Sequence, residues 1–239
     1  MQEFLRFTMA ASIGAMGDLA VGKTRPSHDR PGRATILGLI GAALGVDRED
    51  EEALRALEDG YGLLTGTSRG SSFIDFHSVQ GPPPSSKGYP TRRAELTAAL
   101  KKKINPLLSD REYITDLRCR VVLWERPGAR WSLPDLQKSL RAPTFVLFFG
   151  RKNCPLKEPM NPEIIQAETP LAAALAPYPA EETLAGLQRR KPTESFVYAT
   201  DRTEALRFGL KVARVEQRRD VLANPRSRLF SLRQEAVLA

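Results

Sequence analysis

Histidine and cysteine are scarce in this chain. Two histidines, His28 and His77, are the side chains that titrate near neutral pH, which leaves little for acid–base catalysis. The two cysteines, Cys119 and Cys154, have no metal-ligand spacing. Two thiols in 239 residues suggest a reducing compartment rather than a disulfide scaffold, and the cytoplasm is the expected location. Neither a Ser-His-Asp nor a Cys-His pattern is present, and no Asp/Glu/His cluster has metal spacing. The expectation is therefore a chain without catalytic residues, metal or other cofactor. Runs of about 18 apolar residues are lacking too, so no helix is expected to cross a membrane. The segment 1–17 only faintly imitates a signal peptide. Glu3, Thr8 and Ser12 interrupt it, Gly14 and Gly17 weaken it, and it reads as a first strand and loop. The sequence has no internal repeat.

Positive charge, in contrast, is plentiful. Lys and Arg number 36 against 28 Asp and Glu, a formal net charge of +8. That excess favours a polyanionic partner, either nucleic acid or an anionic membrane surface. The hydrophobic fraction of 41% is ordinary for a globular chain, and the length suffices for one large domain or two small ones with a buried core.

Glu3 to Phe7 alternates and reads as a strand. A basic loop rich in Gly and Pro follows to about Arg33. Ala34 to Gly45 reads as a helix patterned with Gly38 and Gly41, with Gly45 at its C-terminus. Asp50 to Asp59 reads as a short acidic helix. Residues 80–115 open on Gly81-Pro82-Pro83-Pro84-Ser85-Ser86-Lys87-Gly88, which cannot be core; they form either a protruding loop or a solvated insertion. Leu117, Cys119, Val121 and Leu123 alternate on a strand, and Ser132 to Leu140 is a helix with Ser132 as N-cap. Phe145 to Phe149 is expected as a strand, as are Phe196 to Thr200 and Leu210 to Val215. Residues 169–192 mix a helical patch with Pro-rich linker. This order suggests an α+β fold with a ferredoxin-like βαββαβ core.

Gly17 to Thr24 matches the phosphate-loop pattern G-x-x-x-x-G-K-[ST], which works when a helix N-terminus follows and cradles phosphate. Pro26, Pro31 and Gly32 prevent that helix, so nucleotide hydrolysis is not expected. The same stretch holds Lys23, Arg25, Arg30 and Arg33, with Asp29 opposing. Together with the start of the glycine-patterned helix it forms either a phosphate-binding loop or a solvated surface. A second cluster, Phe148-Phe149-Gly150-Arg151-Lys152, joins aromatic rings to two cations, a combination that stacks a base and holds its phosphate. One of the two rings must face the core, and the sequence leaves open which. Arg92 and Arg93 follow the Pro-rich segment. The C-terminal stretch containing Arg218, Arg219 and Arg233 either extends a nucleic-acid groove or is an ordinary solvated face.

Several of these segments, in their order, resemble the CasD family of type I-E CRISPR Cascade. They are the opening strand with Gly17, Thr24-Arg25-Pro26 and Pro31; the helix Ile36 to Gly45; Asp75-Phe76-His77-Ser78-Val79; Arg111 to Asp116; Gly150-Arg151-Lys152-Asn153-Cys154-Pro155-Leu156; and Arg218-Arg219-Asp220 with Arg228-Leu229-Phe230. The chain departs from the family at Met16, where Trp is usual, and at Pro31-Gly32-Arg33-Ala34, where hydroxyl side chains are usual.

The resemblance implies a repeat-associated mysterious protein (RAMP) fold on a ferredoxin-like or RRM-like core. That core would span 1–156, with a β-hairpin thumb at about 74–115, and 157–239 would form a small C-terminal β region. It implies a non-catalytic subunit that caps the 5′ handle of the guide crRNA in an antiviral ribonucleoprotein complex. Its neighbours would be the large subunit and the adjacent backbone subunit, with target DNA close by and no membrane. It implies handle contacts from Arg25, Arg111, Phe148, Gly150, Arg151 and Lys152. His77 in the aspartate-aromatic-histidine segment and Arg219 in the closing pattern complete the candidate RNA-binding set. The alternative is a metal-independent endoribonuclease that processes repeat RNA, with His28 or His77 acting beside Tyr89 or Tyr113 and a lysine.

Overall fold

A computed structural model of the chain describes residues 1–18, 20–79, 88, 91, 93–95, 97, 106–178, 195–227 and 229–239. The first strand is longer than its alternation marks, and two-residue strands interrupt the expected loop after it: β1 runs Gln2–Gly14, β2 Met16–Gly17, β3 Thr24–Arg25 and β4 Ser27–His28. Helices α1 (Arg33–Leu44) and α2 (Glu51–Gly60) follow, then β5 (Tyr61–Ser68), β6 (Ser72–Val79) and the long β7 (Leu107–Glu125). The second half holds α3 (Leu133–Arg141), β8 (Glu163–Ala167), α4 (Pro170–Leu175), β9 (Val197–Asp201), α5 (Arg202–Arg207), β10 (Val212–Asn224) and β11 (Leu229–Leu238).

Among the described residues, the main sheet has nine strands, along the path β10-β11-β9-β5-β7-β1-β8, with β3 and β6 paired to β7 off that path. All these pairings are antiparallel except β3 with β7. β8, which begins after residue 156, is paired to β1 rather than grouped with β9–β11. The result is an α+β architecture, a mostly antiparallel sheet with few helices.

Alternation on β7 buries Leu117, Cys119, Val121 and Leu123 completely, together with Phe7, Met9, Ile36, Ile40 and Leu136. The opposite face is buried as well, around Phe4, Leu64, Val122 and Trp124, where α4 packs. Phe4 and Trp124 meet edge-on with centroids 5.9 Å apart, a geometry that suits the ring quadrupoles. Helix α3 starts at the expected N-cap Ser132, which forms a capping box with Asp135. The Asp135 N–H donates to Ser132 Oγ at 3.3 Å, and the Ser132 N–H donates to Asp135 Oδ2 at 3.2 Å. Gly45 ends α1 as expected.

Phe145–Phe149 is not a strand. The N–H groups of Thr144 and Phe145 donate to the carbonyls of Ala43 and Ala42, and the segment's remaining β pairing is one isolated bridge from Phe148 to Pro155. Phe145 and Val146 stay exposed.

Beyond the body of the sheet, the first part of β7 pairs with β6, from Ser72 opposite Ile114 to Val79 opposite Leu107. Phe73, Ile74, Phe76, Val79, Leu107 and Leu108 all stay exposed on this pair. The Pro-rich start of the expected insertion, apart from Gly88, lies outside the described residues, as does most of the stretch to residue 105. Among the described residues, no helix is long and apolar enough to cross a membrane.

Candidate nucleic-acid interface

Three segments far apart in sequence meet beside the first part of β7. Glycine-rich backbone ahead of β3 turns at Val21–Thr24, where the Thr24 N–H donates to the Val21 carbonyl at 3.2 Å. Strand β3 then lies parallel to β7, with Thr24 beside Asp110 and Arg25 beside Arg111. On the other side of β7, Asp75 of β6 is the partner of Arg111. The third segment is the turn Phe148–Cys154. Its Phe149 carbonyl accepts from the Ala15 N–H at 3.2 Å, and Gly150 takes a φ of +86° there.

These turns settle which phenylalanine faces inward. Phe149 is completely buried in the main core, and Phe148 is half-buried at the surface. Arg151 ties its turn to β3 and β7. Its Nη2 donates to the Arg25 carbonyl and its Nη1 to the Glu112 carbonyl, each at 3.2 Å. Its guanidinium also lies 4.7 Å from the Tyr113 ring centroid, within cation–π range. Asn153 Nδ2 donates to the Tyr113 hydroxyl at 2.9 Å. Burial alone would raise the Tyr113 phenol. The hydrogen bond from Asn153 and the hydrogen bond and charge of Arg151 outweigh burial and hold it below the usual tyrosine range. Glu112 points the other way and accepts from the Ser27 N–H at 3.0 Å.

The cationic groups of this cluster are Lys23, Arg25, Arg111, Arg151 and Lys152. Lys23 pairs with Asp110 at 3.0 Å yet keeps 63% of its side chain exposed. Arg25 is exposed and folds onto its own turn, donating from Nη1 to the carbonyls of Gly22 at 2.7 Å and Thr24 at 3.0 Å. Arg111 donates from Nε to Ser109 Oγ at 3.3 Å, and Lys152 is exposed. Cations brought together on hydrogen-bonded backbone suit phosphate contacts, which position a nucleic acid without reading its sequence.

Other expected site residues are elsewhere. Arg30 and Arg33 are each 3% exposed, so their guanidinium groups are not at a surface where phosphate could bind. Arg30 is ion-paired with Glu216, with Glu235 at 3.0 Å and with Asp29 at 3.2 Å. Arg33 pairs with Glu58 and donates to the Glu58 and Tyr61 carbonyls. The start of α1 is likewise no phosphate site, because the Asp220 carboxylate of β10 already accepts from the Arg33 backbone N–H at 2.7 Å. No helix starts directly from the phosphate-loop match; β3 begins at its last residue, Thr24, and β4 comes before α1.

Arg219 is exposed on β10, an edge strand separated from β7 by β11, β9 and β5, and its Nη1 donates to the Phe230 carbonyl at 3.4 Å. Arg93 is exposed, and Arg92 lies outside the described residues. His77 sits opposite Ser109, on the same sheet face as Arg111. Its Nδ1 is shielded and has no hydrogen-bond partner among the described residues. His28 pairs with Asp18 at 3.1 Å. Tyr89 is outside the described residues, and Tyr113 is 2% exposed. Among the described residues, no group of three or more His, Cys, Asp or Glu could hold a metal ion.

Sequence reasoning passed over Phe73. Its ring stacks on Tyr113 with centroids 5.5 Å apart and planes at 19°. The alternation in Ser72–Val79 carried the signal, since it places Phe73, Asp75 and His77 on one face.

Comparison with known proteins gives the chain's relatives. The family model described as CRISPR-associated protein (Cas_Cas5) matches residues 4–232. The CRISPR system Cascade subunit CasD of Escherichia coli (strain K12) is 29% identical over 184 residues, covering 73% of this chain and 77% of that protein. Two solved structures share the fold. A chain of a CRISPR RNA-guided surveillance complex superposes with a TM-score of 0.60 at 18% identity, over 99% of this chain and 89% of its own. The crystal structure of a Cas protein gives 0.58 at 22% identity, over 98% and 94%.

Proposed function

The chain belongs to the Cas5 family of CRISPR-associated proteins, and from that membership we propose that it is the non-catalytic subunit that binds and caps the 5′ handle of the guide crRNA in a type I-E surveillance complex. The observation that carries this reading is the pairing of Arg25 with Arg111 across β3 and β7, with Arg151 locked beside them by two backbone carbonyls. Backbone that is fixed before binding loses little freedom when RNA arrives, so each cation contributes more of its phosphate attraction. Phe148, at the lip of the same turn, offers a ring to a handle base.

The four strands β5-β7-β1-β8, with α1 and α2 between β1 and β5 and α3 between β7 and β8, follow the order expected of a ferredoxin-like core. On this reading the core continues through β8 and β9–β11 form the C-terminal β region. The β6–β7 pair is the base of the thumb. The protein links the large subunit to the backbone of the complex, in the cytoplasm, and so supports guided recognition of target DNA. The exposed apolar residues Ile74, Phe76 and Leu108 on that pair are a surface for those protein neighbours.

The test is to recover tagged protein from its native host and sequence the 5′ ends of the bound RNA. The expected result is uniform ends within a repeat, ahead of varied spacers. Scattered ends, or no RNA, would overturn the handle-capping role. Incubation with repeat RNA in a chelator should leave the RNA intact; cleavage there would instead establish the endoribonuclease alternative.

A further inference from the structure

Phe73 is an aromatic ring with no place in the core. It is 41% exposed, whereas the Tyr113 ring on which it stacks is 2% exposed. β6 and β7 hold the two rings directly opposite each other, and β7 places Arg111 two residues before Tyr113. Residues two apart on a strand share a face and lie about 7 Å apart, the scale of one nucleotide. Arg25, on β3, is the neighbour of Arg111, across β7 from Phe73, so a strand of RNA that crosses this face meets a ring on β6 and two guanidinium-bearing residues on β7 and β3. Arg151, over the Tyr113 ring, adds a third cation. Apolar packing alone would bury Phe73 or cover it with neighbouring side chains. Instead the ring is fixed in plane by Tyr113, and Tyr113 is fixed by Asn153 and Arg151.

We propose that the solvent-exposed face of Phe73 is a nucleobase-stacking site. It takes one unpaired base of a single-stranded RNA whose adjoining phosphates lie against Arg25 and Arg111. Stacking of this kind accepts any base, since every base has a π-face, so it sets the position of the strand rather than its sequence. The inference rests on the RNA-binding reading above and adds to it a ring outside the basic clusters, carried on β6.

The experiment uses the full-length protein and a single-stranded RNA with the repeat-derived 5′ sequence of the host's own array, substituted position by position with 2-aminopurine. Wild type should quench the fluorophore strongly at one position. Phe73→Leu keeps apolar contact with Tyr113 but removes the π-face. It should abolish that quenching and weaken binding roughly 5- to 150-fold, with no change in the salt dependence because no charge is lost. Phe73→Trp should restore both. Unchanged melting temperatures for the two variants establish that they are folded.

Wild-type affinity and quenching in Phe73→Leu would overturn the stacking site. If the double variant Arg25→Ala with Arg111→Ala weakens binding in the same series, the cationic surface stands and the stack alone is refuted. If the double variant also binds normally, the RNA-binding reading of this face falls with it.

Discussion

Gly150 and Ala15 approach so closely that a Cβ on Gly150 would sit 1.6 Å from the Ala15 carbonyl oxygen. That oxygen belongs to backbone and cannot swing aside. Gly150 also has a φ of +86°, a region that L side chains rarely adopt. Gly150→Ala therefore has to displace the turn that carries Arg151 and Lys152. The strained backbone alone costs on the order of 1–3 kcal/mol. The expected outcome is a lower melting temperature together with weakened RNA binding, measured by thermal unfolding and fluorescence anisotropy.

Replacing both Arg151 and Lys152 by alanine leaves the buried core untouched but removes the two hydrogen bonds from Arg151 to the Arg25 and Glu112 carbonyls, so the melting temperature of the variant is measured alongside its binding. Each phosphate contact on a single strand contributes about 0.7 to the slope of log affinity against log salt. The double variant should therefore flatten that slope by roughly 1.4. Titration of handle RNA at several salt concentrations measures it, and an unaltered slope would place the phosphates on other residues.

The opposite outcome is expected for Arg33, whose charge reads identically in the sequence. Arg33→Ala removes the partner of buried Glu58 and leaves the carbonyls of Glu58 and Tyr61 without their donor. Breaking a buried pair by removing one member costs about 3–5 kcal/mol. The variant should have a much lower denaturant midpoint, while its folded fraction keeps the wild-type salt slope for RNA.

That contrast marks what the sequence could and could not reveal. Local patterns were legible: the alternation that buries Leu117 to Leu123, the N-cap at Ser132, and the end of α1 at Gly45. The Lys23–Arg33 run showed only Asp29 against its four cations, because the other carboxylates that absorb Arg30 and the start of α1 are Glu216, Glu235 and Asp220, nearly 200 residues later. Phe145–Phe149 has a strand's composition but no free edge to join, since its first N–H groups are taken by the last turn of α1. β5 was hidden by Gly62 and Gly66, residues that weaken a strand signal. The structure shows their use. A Cβ at Gly62 would fall 2.0 Å from the Trp124 ring, and one at Gly66 2.3 Å from the Tyr198 ring. The Arg25–Arg111–Arg151 cluster combines three segments from different parts of the chain, and composition could identify the pieces but not their meeting.

Asp220 makes the last prediction, one of pH. Burial alone would raise its carboxyl, but the hydrogen bonds and charge of Arg233 outweigh that. The Arg33 backbone N–H and the charge of Arg218 add to the effect, and the group is held below the usual carboxylate range. A carboxyl depressed in the folded state binds fewer protons there than in the unfolded chain, so stability increases with pH through this window. The contribution is fully present above the ordinary Asp value of about 3.9 and is lost as pH falls from there through the folded value. Asp220→Asn removes the charge at every pH. It leaves Arg233, itself raised above the ordinary arginine value despite its burial by pairing with Asp220, Glu235 and Asp201, short of its main partner. At pH 7 the variant should be less stable by about 3–5 kcal/mol. Its melting temperature should also fall less steeply than wild type between about pH 5 and pH 3, because the wild type alone loses this carboxylate there. Parallel acid limbs for the two proteins would mean that Asp220 does not govern the junction between α1 and the β10–β11 hairpin.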